Sequence, residues 1–313
     1  MGTATYLRWI MRLLSPIMGV PFDSESAKGY KNRGTSNIIA VSWRRQEMSE
    51  KDEILVANQE GIKTLTINLP KKRNALSVSN ARRMAKEVEK SAEDGTRVLV
   101  LTGAGGAFCA GADLAQEGFE RLGEQGTFTE QAWDEFVSTS YHRLSTAIYK
   151  LPRPVIAAVD GVAAGFGCSL ALNADITLVS TTARFIEVFV NIALMPDGGS
   201  TYILPKLVGL KKAMEMALTG EPVDAQEALR LNMVNRVYPP EELEEKTLEW
   251  ARKLAKGPVR SMGVAKRSFH EAYLMNTDQA LDMESRRQAR LLTQSDFVNA
   301  VLAFLEKKEP TFS

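Results

Sequence analysis

Apolar residues follow two kinds of spacing along the middle of the chain. Residues 62–67 alternate between apolar and polar side chains, and they follow the apolar run 54–56. This pattern predicts two strands that turn at Glu60-Gly61. Continuous apolar runs predict further buried strands at 98–101, 155–159 and 176–179. Helical spacing occupies 77–93, about 130–150, and a segment that opens near residue 167. Strands that alternate with helices predict an α/β layered core rather than a β-sandwich.

The two ends of the chain differ from this alternating part. Beyond Pro239-Pro240 the pattern is helical almost throughout, with helices predicted near 241–256, 258–274, 277–293 and 296–307. We therefore divide the chain into an N-terminal extension (1–47), an α/β core (48–240) and a C-terminal helical region (241–313). The extension carries +4 and the remainder −3. Three interpretations stay open for it: an upstream extension with Met48 as the working start, a targeting segment, or an ordered appendage.

Composition and charge exclude several classes of protein. The chain has 313 residues, 44% of them hydrophobic and 25% charged, which is ordinary for a globular protein. A formal net charge of +1 provides no overall field for a polyanion, so we expect no nucleic-acid partner. Two cysteines and two histidines are too few for a disulfide framework or a metal cluster. Polar residues and glycines interrupt the longest apolar stretch, so we expect no membrane span. We expect the protein in the cytoplasm, or in the mitochondrial matrix if residues 1–47 are a transit segment.

Two glycine-rich turns, residues 103–113 and 160–168, each follow a buried strand. Neither fits the dinucleotide pattern G-x-G-x-x-G, because Phe108 and Leu170 stand at the third glycine position. Small residues let a ligand approach the backbone, and two converging N–H groups make an oxyanion hole. The alternative is that both turns only pack against a neighbouring layer.

Four motifs follow one another in a characteristic order. They are Arg73-Asn74-Ala75-Leu76; Gly103 to Leu114, including Phe108-Cys109-Ala110-Gly111-Ala112-Asp113; Pro154 to Gly161 followed by Ala164-Gly165-Phe166-Gly167; and Pro196-Asp197-Gly198-Gly199. On these motifs the chain from about Ile54 to Phe312 resembles the crotonase family of enoyl-CoA hydratases and isomerases. The resemblance implies a spiral of ββα turns with a C-terminal helical region that forms a homotrimer or a dimer of trimers.

The resemblance also implies an acyl-CoA thioester substrate, with coenzyme A as part of the substrate and no further cofactor. The thioester oxygen is expected to accept hydrogen bonds from the N–H groups of Ala110 and Phe166, and the Phe166 side chain to narrow the pocket. Expected coenzyme A or substrate contacts come from Lys72, Arg73, Ala75, Ala112, Asp113, Leu114, Gly165, Phe189, Phe304 and Lys307. The last two are expected to reach a coenzyme A bound on a neighbouring subunit, and residues 115–128 to help to shape the acyl pocket.

The residues at the family's acidic positions indicate which reaction this chain performs. Hydratases of the family use two glutamates, whose positions correspond to Ser169 and Phe189 here. Glu187 is expected to point to the other side of its extended segment as a solvated or ion-paired surface carboxylate. Asp197 corresponds to the lone acid that shuttles a proton in the family's isomerases, with capping of the next helix as its structural alternative.

The sequence therefore predicts an enoyl-CoA isomerase that works by carboxylate-mediated 1,3-proton transfer at Asp197. Two alternatives stay open. One is an enoyl-CoA hydratase that uses Asp197, and Ser169 with an ordered water. The other is a homologue that binds coenzyme A and catalyses nothing.

Overall fold

The computed structural model describes residues 52–115 and 129–313. Predictions about residues 1–47, and about most of 115–128, concern residues outside these ranges. The strands are β1 (Ile54–Gln59), β2 (Ile62–Ile67), β3 (Val98–Gly103), β4 (Val155–Val159), β5 (Val162–Ala164), β6 (Ile176–Ser180), β7 (Arg184–Ile186), β8 (Val223–Asp224) and β9 (Arg236–Tyr238). The helices are α1 (Val78–Lys90), α2 (Glu130–Ser138), α3 (Tyr141–Lys150), α4 (Phe166–Leu172), α5 (Ser200–Thr219), α6 (Ala225–Arg230), α7 (Leu243–Ala255), α8 (Val259–Ala272), α9 (Thr277–Leu292) and α10 (Ser295–Leu305).

The strands form two sheets. The larger sheet has the order β1-β2-β3-β4-β6-β9, and the smaller one has the order β5-β7-β8. β1 and β2 are antiparallel, with Gln59 opposite Ile62, which confirms the predicted turn at Glu60-Gly61. From β2 to β9 the neighbouring strands of the larger sheet are parallel. Parallel strands need crossovers, which helices and short strands of the smaller sheet supply. The predicted α/β class is confirmed.

Parallel strands are buried on both faces, and this decides where the core ends. One face of the larger sheet, with Ile62, Val98 and Ile156, packs against Leu243 and Ala251 of α7. α7 therefore packs on the α/β core, although it lies beyond the boundary predicted near residue 240. The first helix of the predicted C-terminal region covers this face of the sheet.

The helix predicted over about 130–150 is two helices, α2 and α3. Ser140 has φ −121° and ψ −89°, which no helix contains. The hydroxyls of Thr139 and Ser140 donate to the carbonyls of Glu135 and Phe136, and the Ser140 N–H donates to Val137 instead of to Phe136 as a continuous helix would require. Side chains that capture these carbonyls compete with the helical ladder. The break turns both helices toward the same cavity.

The remaining helices agree with the predicted pattern. α8, α9 and α10 lie close to the predicted segments 258–274, 277–293 and 296–307. Within residues 52–115 and 129–313, no helix is long and apolar enough to cross a membrane. The same residues contain no group of three or more His, Cys, Asp or Glu side chains placed to hold a metal ion.

Candidate active site

A cavity of about 370 Å³ lies where the two glycine-rich turns meet the segment 188–197. Its wall is largely apolar and aromatic. The described residues that line it are Ala110, Gly111, Ala112, Leu114, Trp133, Phe136, Val137, Tyr141, Gly165, Phe166, Val188, Phe189, Ile192, Leu194, Met195 and Asp197. Among these residues Asp197 is the one carboxylic acid. An apolar cavity with a single acid is a typical small-molecule site.

The two glycine-rich turns lie side by side because Gly167 has no side chain. A Cβ at Gly167 would lie 2.1 Å from the carbonyl oxygen of Cys109. Cys109 pairs with Ala163 in an isolated bridge, and its carbonyl accepts from Ala164 N–H at 2.9 Å. Both turns therefore present their backbone to the same cavity, as the oxyanion-hole prediction requires.

One of the two predicted backbone donors is already engaged. The Ala110 N–H donates to the carbonyl of Arg73 at 3.0 Å, so its assignment as an oxyanion donor is wrong. The N–H groups of Ala112 and Phe166 are available instead, because neither meets an acceptor in the part of the chain that the structure describes. Phe166 opens α4, where the helix dipole adds partial positive charge. A Cβ built on Gly111 would lie 3.7 Å from Phe166 N, which places the two segments in contact.

Asp197 does not cap α5. The N-cap of α5 is Gly199, and no side chain accepts a hydrogen bond there, so the capping alternative is wrong. The Asp197 Oδ1 is buried and has no hydrogen-bond partner among the described residues. Burial raises the pKa of the Asp197 carboxyl, because a charged form is poorly solvated in the cavity. A raised pKa makes a carboxyl group better suited both to accept and to return a proton.

The main chain of Asp197, rather than its side chain, is firmly held. Its carbonyl accepts from Ser169 Oγ at 2.8 Å and from Ser200 N–H at 3.0 Å. The Asn173 amide donates to the carbonyls of Ser169 and Gly198, at 2.7 and 2.8 Å. Asn173 and Ser200 belong to no motif in the sequence, and their role is visible only once the turn is folded against α4.

The buried Ser169 hydroxyl therefore donates its hydrogen bond to the turn that carries Asp197. Ser169 does not line the cavity. The hydratase alternative places an ordered water on Ser169, but the Ser169 hydroxyl donates to the Asp197 carbonyl instead.

Aromatic rings form a continuous wall opposite the backbone donors. The ring centroids of Trp133 and Phe136 lie 5.1 Å apart, those of Phe136 and Tyr141 6.4 Å, and those of Tyr141 and Phe166 4.9 Å. Phe166 narrows the cavity, as expected, and Phe189 lines it as well. Burial raises the pKa of Tyr141, and its hydroxyl donates to the Leu76 carbonyl at 2.9 Å. Tyr141 is thus a neutral part of the wall.

Glu187 is not a surface carboxylate, and that expectation is wrong. Its exposed fraction is 0%, and its Oε1 accepts from Ser200 Oγ at 2.6 Å. Glu187 does point away from the cavity, as the alternation predicted. The side of the segment opposite the cavity is interior rather than surface, because α4 and α5 cover it.

The expected coenzyme A contacts divide into two groups. Ala112, Leu114, Gly165 and Phe189 line the cavity. Lys72 Nζ lies 2.7 Å from the Asp113 carboxylate, which raises the pKa of Lys72 through that hydrogen bond. The Arg73 side chain is exposed, and Ala75 N–H donates to the Lys72 carbonyl.

Phe304 is 80% exposed and Lys307 is exposed, both outside the cavity of this chain. Their role on a neighbouring subunit stays a prediction.

Comparisons with known proteins identify the family of this chain. The model of the enoyl-CoA hydratase/isomerase family matches residues 57–313. A probable enoyl-CoA hydratase of Rhodobacter capsulatus is 37% identical over 254 residues, 81% of this chain and 95% of that one. The 1,2-epoxyphenylacetyl-CoA isomerase of Escherichia coli is 35% identical over 263 residues, 83% of this chain and 98% of that one. The structure of a putative enoyl-CoA hydratase from Streptomyces coelicolor superposes with a TM-score of 0.78 and 30% identity, covering 86% and 96% of the two chains.

The chain belongs to the enoyl-CoA hydratase/isomerase family, which confirms the crotonase resemblance and the crotonase fold. Its relatives include proteins named as hydratases and proteins named as isomerases. The family thus defines the class of enzyme, and the residues of the cavity must distinguish between the two reactions.

Asp197→Asn is expected to stabilise the protein, and increasingly so as the pH rises. The folded-state pKa of Asp197 is raised, so wild-type stability falls as the pH rises from the unfolded value of about 3.9 through the folded value. The amide never acquires the charge. Urea unfolding at several pH values between about 4 and 8 should show a growing difference in unfolding free energy. A difference that is constant across this range would contradict burial of the charge.

Proposed function

We propose that the protein is an enoyl-CoA isomerase that moves a carbon–carbon double bond of an acyl-CoA thioester by carboxylate-mediated 1,3-proton transfer. One observation carries the proposal. The Asp197 carboxyl, with its unpartnered Oδ1, shares an apolar cavity with the available N–H groups of Ala112 and Phe166. The cavity thus combines one proton carrier with two donors for an enolate oxygen.

The reaction follows from these three groups. The thioester oxygen of a 3-enoyl-CoA accepts hydrogen bonds from Ala112 and Phe166, which makes the C2 proton more acidic. The Asp197 carboxylate removes that proton, and the electron pair delocalises into a dienolate. Asp197 then returns the proton to C4, so that the C2–H bond breaks, a C4–H bond forms and the double bond moves to C2=C3. No electrons leave or enter the substrate, so the proposed reaction needs no redox cofactor.

The same cavity is poorly equipped for hydration. Addition of water to a 2-enoyl-CoA needs a base for the water and an acid for C2. Phe189 stands at one expected position and carries no proton to transfer, and the Ser169 hydroxyl at the other donates to the Asp197 carbonyl. The hydratase alternative is supported instead by the names of relatives, such as the Rhodobacter capsulatus protein.

We propose that the active form is a homotrimer or a dimer of trimers. Large apolar side chains on the C-terminal helical region support assembly, because they are exposed in the single chain. Phe269, Leu274 and Phe304 are 74%, 80% and 80% exposed. The cytoplasmic location, with the mitochondrial matrix as its alternative, also stays a prediction.

Two substrates in heavy water test the proposed reaction. A 3-enoyl-CoA is expected to become a 2-enoyl-CoA, while a 2-enoyl-CoA yields no hydroxyacyl-CoA, with products followed by chromatography and mass spectrometry. Rapid formation of hydroxyacyl-CoA from the second substrate would establish the hydratase instead. Tight coenzyme A binding without turnover of either substrate would favour the non-catalytic alternative.

A further inference from the structure

Glu187 is a carboxylic acid buried beside the cavity that the proposed reaction does not use. It lies between β7 and a 3-10 helix (Val188–Ile192), with an exposed fraction of 0%. Its Oε1 accepts from Ser200 Oγ at 2.6 Å, and its Oε2 has no hydrogen-bond partner in the described part of the chain. A buried carboxyl group in which one oxygen has no hydrogen-bond partner requires a physical explanation.

One residue joins the Glu187 side chain to the main chain of Asp197. Ser200 opens α5, donates its hydroxyl to the Glu187 carboxyl, and donates its N–H to the Asp197 carbonyl at 3.0 Å. Among the described residues Asp197 Oδ1 has no hydrogen-bond partner, whereas the Asp197 carbonyl is held by Ser169 and Ser200. Glu187 is thus connected through Ser200 to the main chain of the proposed proton carrier, although it lies outside the cavity.

Among residues 52–115 and 129–313, no cationic side chain forms an ion pair with Glu187. The titratable groups that act on it are the Cys168 thiol from α4 and the Asp197 carboxyl from the turn before α5. Burial raises the pKa of Glu187, and the nearby Asp197 charge raises it further, whereas the Ser200 hydroxyl and the nearby Cys168 thiol lower it. Two neighbouring acids in an apolar site cannot both ionise easily. Of the two, Glu187 is the more deeply buried, whereas Asp197 lines the cavity.

We propose that Glu187 is a positioning residue that stays uncharged and, through Ser200, fixes the turn that carries Asp197. This inference rests on the proposed isomerase function for its kinetic consequence. Its structural content, an uncharged buried acid bound to Ser200, does not depend on which reaction the protein catalyses.

The kinetic test compares an isosteric and an apolar replacement. Glu187→Leu cannot accept from Ser200 and is expected to lower kcat about 10- to 100-fold, with KM changed less than about threefold. Glu187→Gln keeps an acceptor and is expected to rescue kcat to within about threefold of the wild type. The pH profile of kcat for Glu187→Gln should have its acidic limb at the same pH as the wild type, because the substitution removes no charge. Exposed Glu93 provides the matched control, Glu93→Gln.

Two results would overturn the inference. Wild-type kcat in a folded Glu187→Leu variant would show that Glu187 does not position Asp197. A downward shift of the acidic limb in Glu187→Gln by about one pH unit would show that Glu187 is charged in the wild type. Should Glu187→Leu fail to fold, Ser200→Ala removes the same link and is expected to lower kcat in the same direction.

A second readout does not require turnover. Infrared spectra of the folded protein near neutral pH should contain the C=O stretch of a buried carboxylic acid, which Glu187→Gln removes and Glu93→Gln leaves in place. Absence of a difference between wild type and Glu187→Gln would refute the uncharged state. If no enoyl-CoA is isomerised but the band is present, the proposed function fails while the state of Glu187 stands.

Discussion

Asp197→Asn is expected to lower kcat for double-bond isomerisation by about 10²–10⁴-fold, the usual contribution of a general acid–base group. Asparagine keeps the size and shape of the side chain but can neither take the C2 proton nor return one to C4. The Asp197 main chain stays held by Ser169 and Ser200, so the turn should not move. Substrate binding relies on the apolar wall and the backbone donors, and KM should therefore change less than kcat.

A matched control separates loss of the base from a general effect of the substitution. Asp282→Asn makes the same chemical change on exposed α9, where the ion pair with Arg286 is worth little, and activity should stay at the wild-type value. Steady-state kinetics with a 3-enoyl-CoA measures both variants. Near-wild-type kcat in Asp197→Asn would refute the proposed mechanism.

Gly167→Ala is expected to reduce kcat/KM by at least about 100-fold and to destabilise the protein by about 1–3 kcal/mol. A Cβ at this position would lie 2.1 Å from the Cys109 carbonyl oxygen and 2.8 Å from the Cys109 Cβ, so the two turns must separate. The separation moves the N–H of Phe166 away from that of Ala112, and the oxyanion hole opens. Alanine has a better helix propensity than glycine, so the loss is steric rather than conformational.

The control for this substitution is a glycine with free space around it. Gly95 has φ +87° and no heavy atom within 4 Å of a built Cβ, and asparagine tolerates that backbone conformation better than most residues. Gly95→Asn should therefore retain kcat/KM. Thermal unfolding and steady-state kinetics measure both variants, and full activity in Gly167→Ala would contradict the contact between the turns.

The sequence predicted more of the fold than of the site. The apolar pattern placed five of the six strands of the larger sheet, all but β9, and the four C-terminal helices, because burial leaves a regular or continuous apolar pattern along each element. The pattern did not show that α7 packs on the sheet, since the apolar spacing of α7 resembles that of the helices after it. Only the folded sheet has a face that α7 covers. Nor did the pattern place the break at Ser140, which depends on hydroxyl groups that capture carbonyls of the preceding turn.

For the site, the four motifs by themselves determined the family, the two facing turns and Asp197 as the candidate proton carrier. Only the tertiary structure decided which N–H groups are available, because Ala110 donates to Arg73, a residue 37 positions earlier in the chain. It also decided that Glu187 is interior and that Asp197 does not cap a helix. Whether an N–H is free to donate, and whether an acid is buried, depends on neighbouring segments that are distant in sequence. Spacing along the chain does not encode those neighbours.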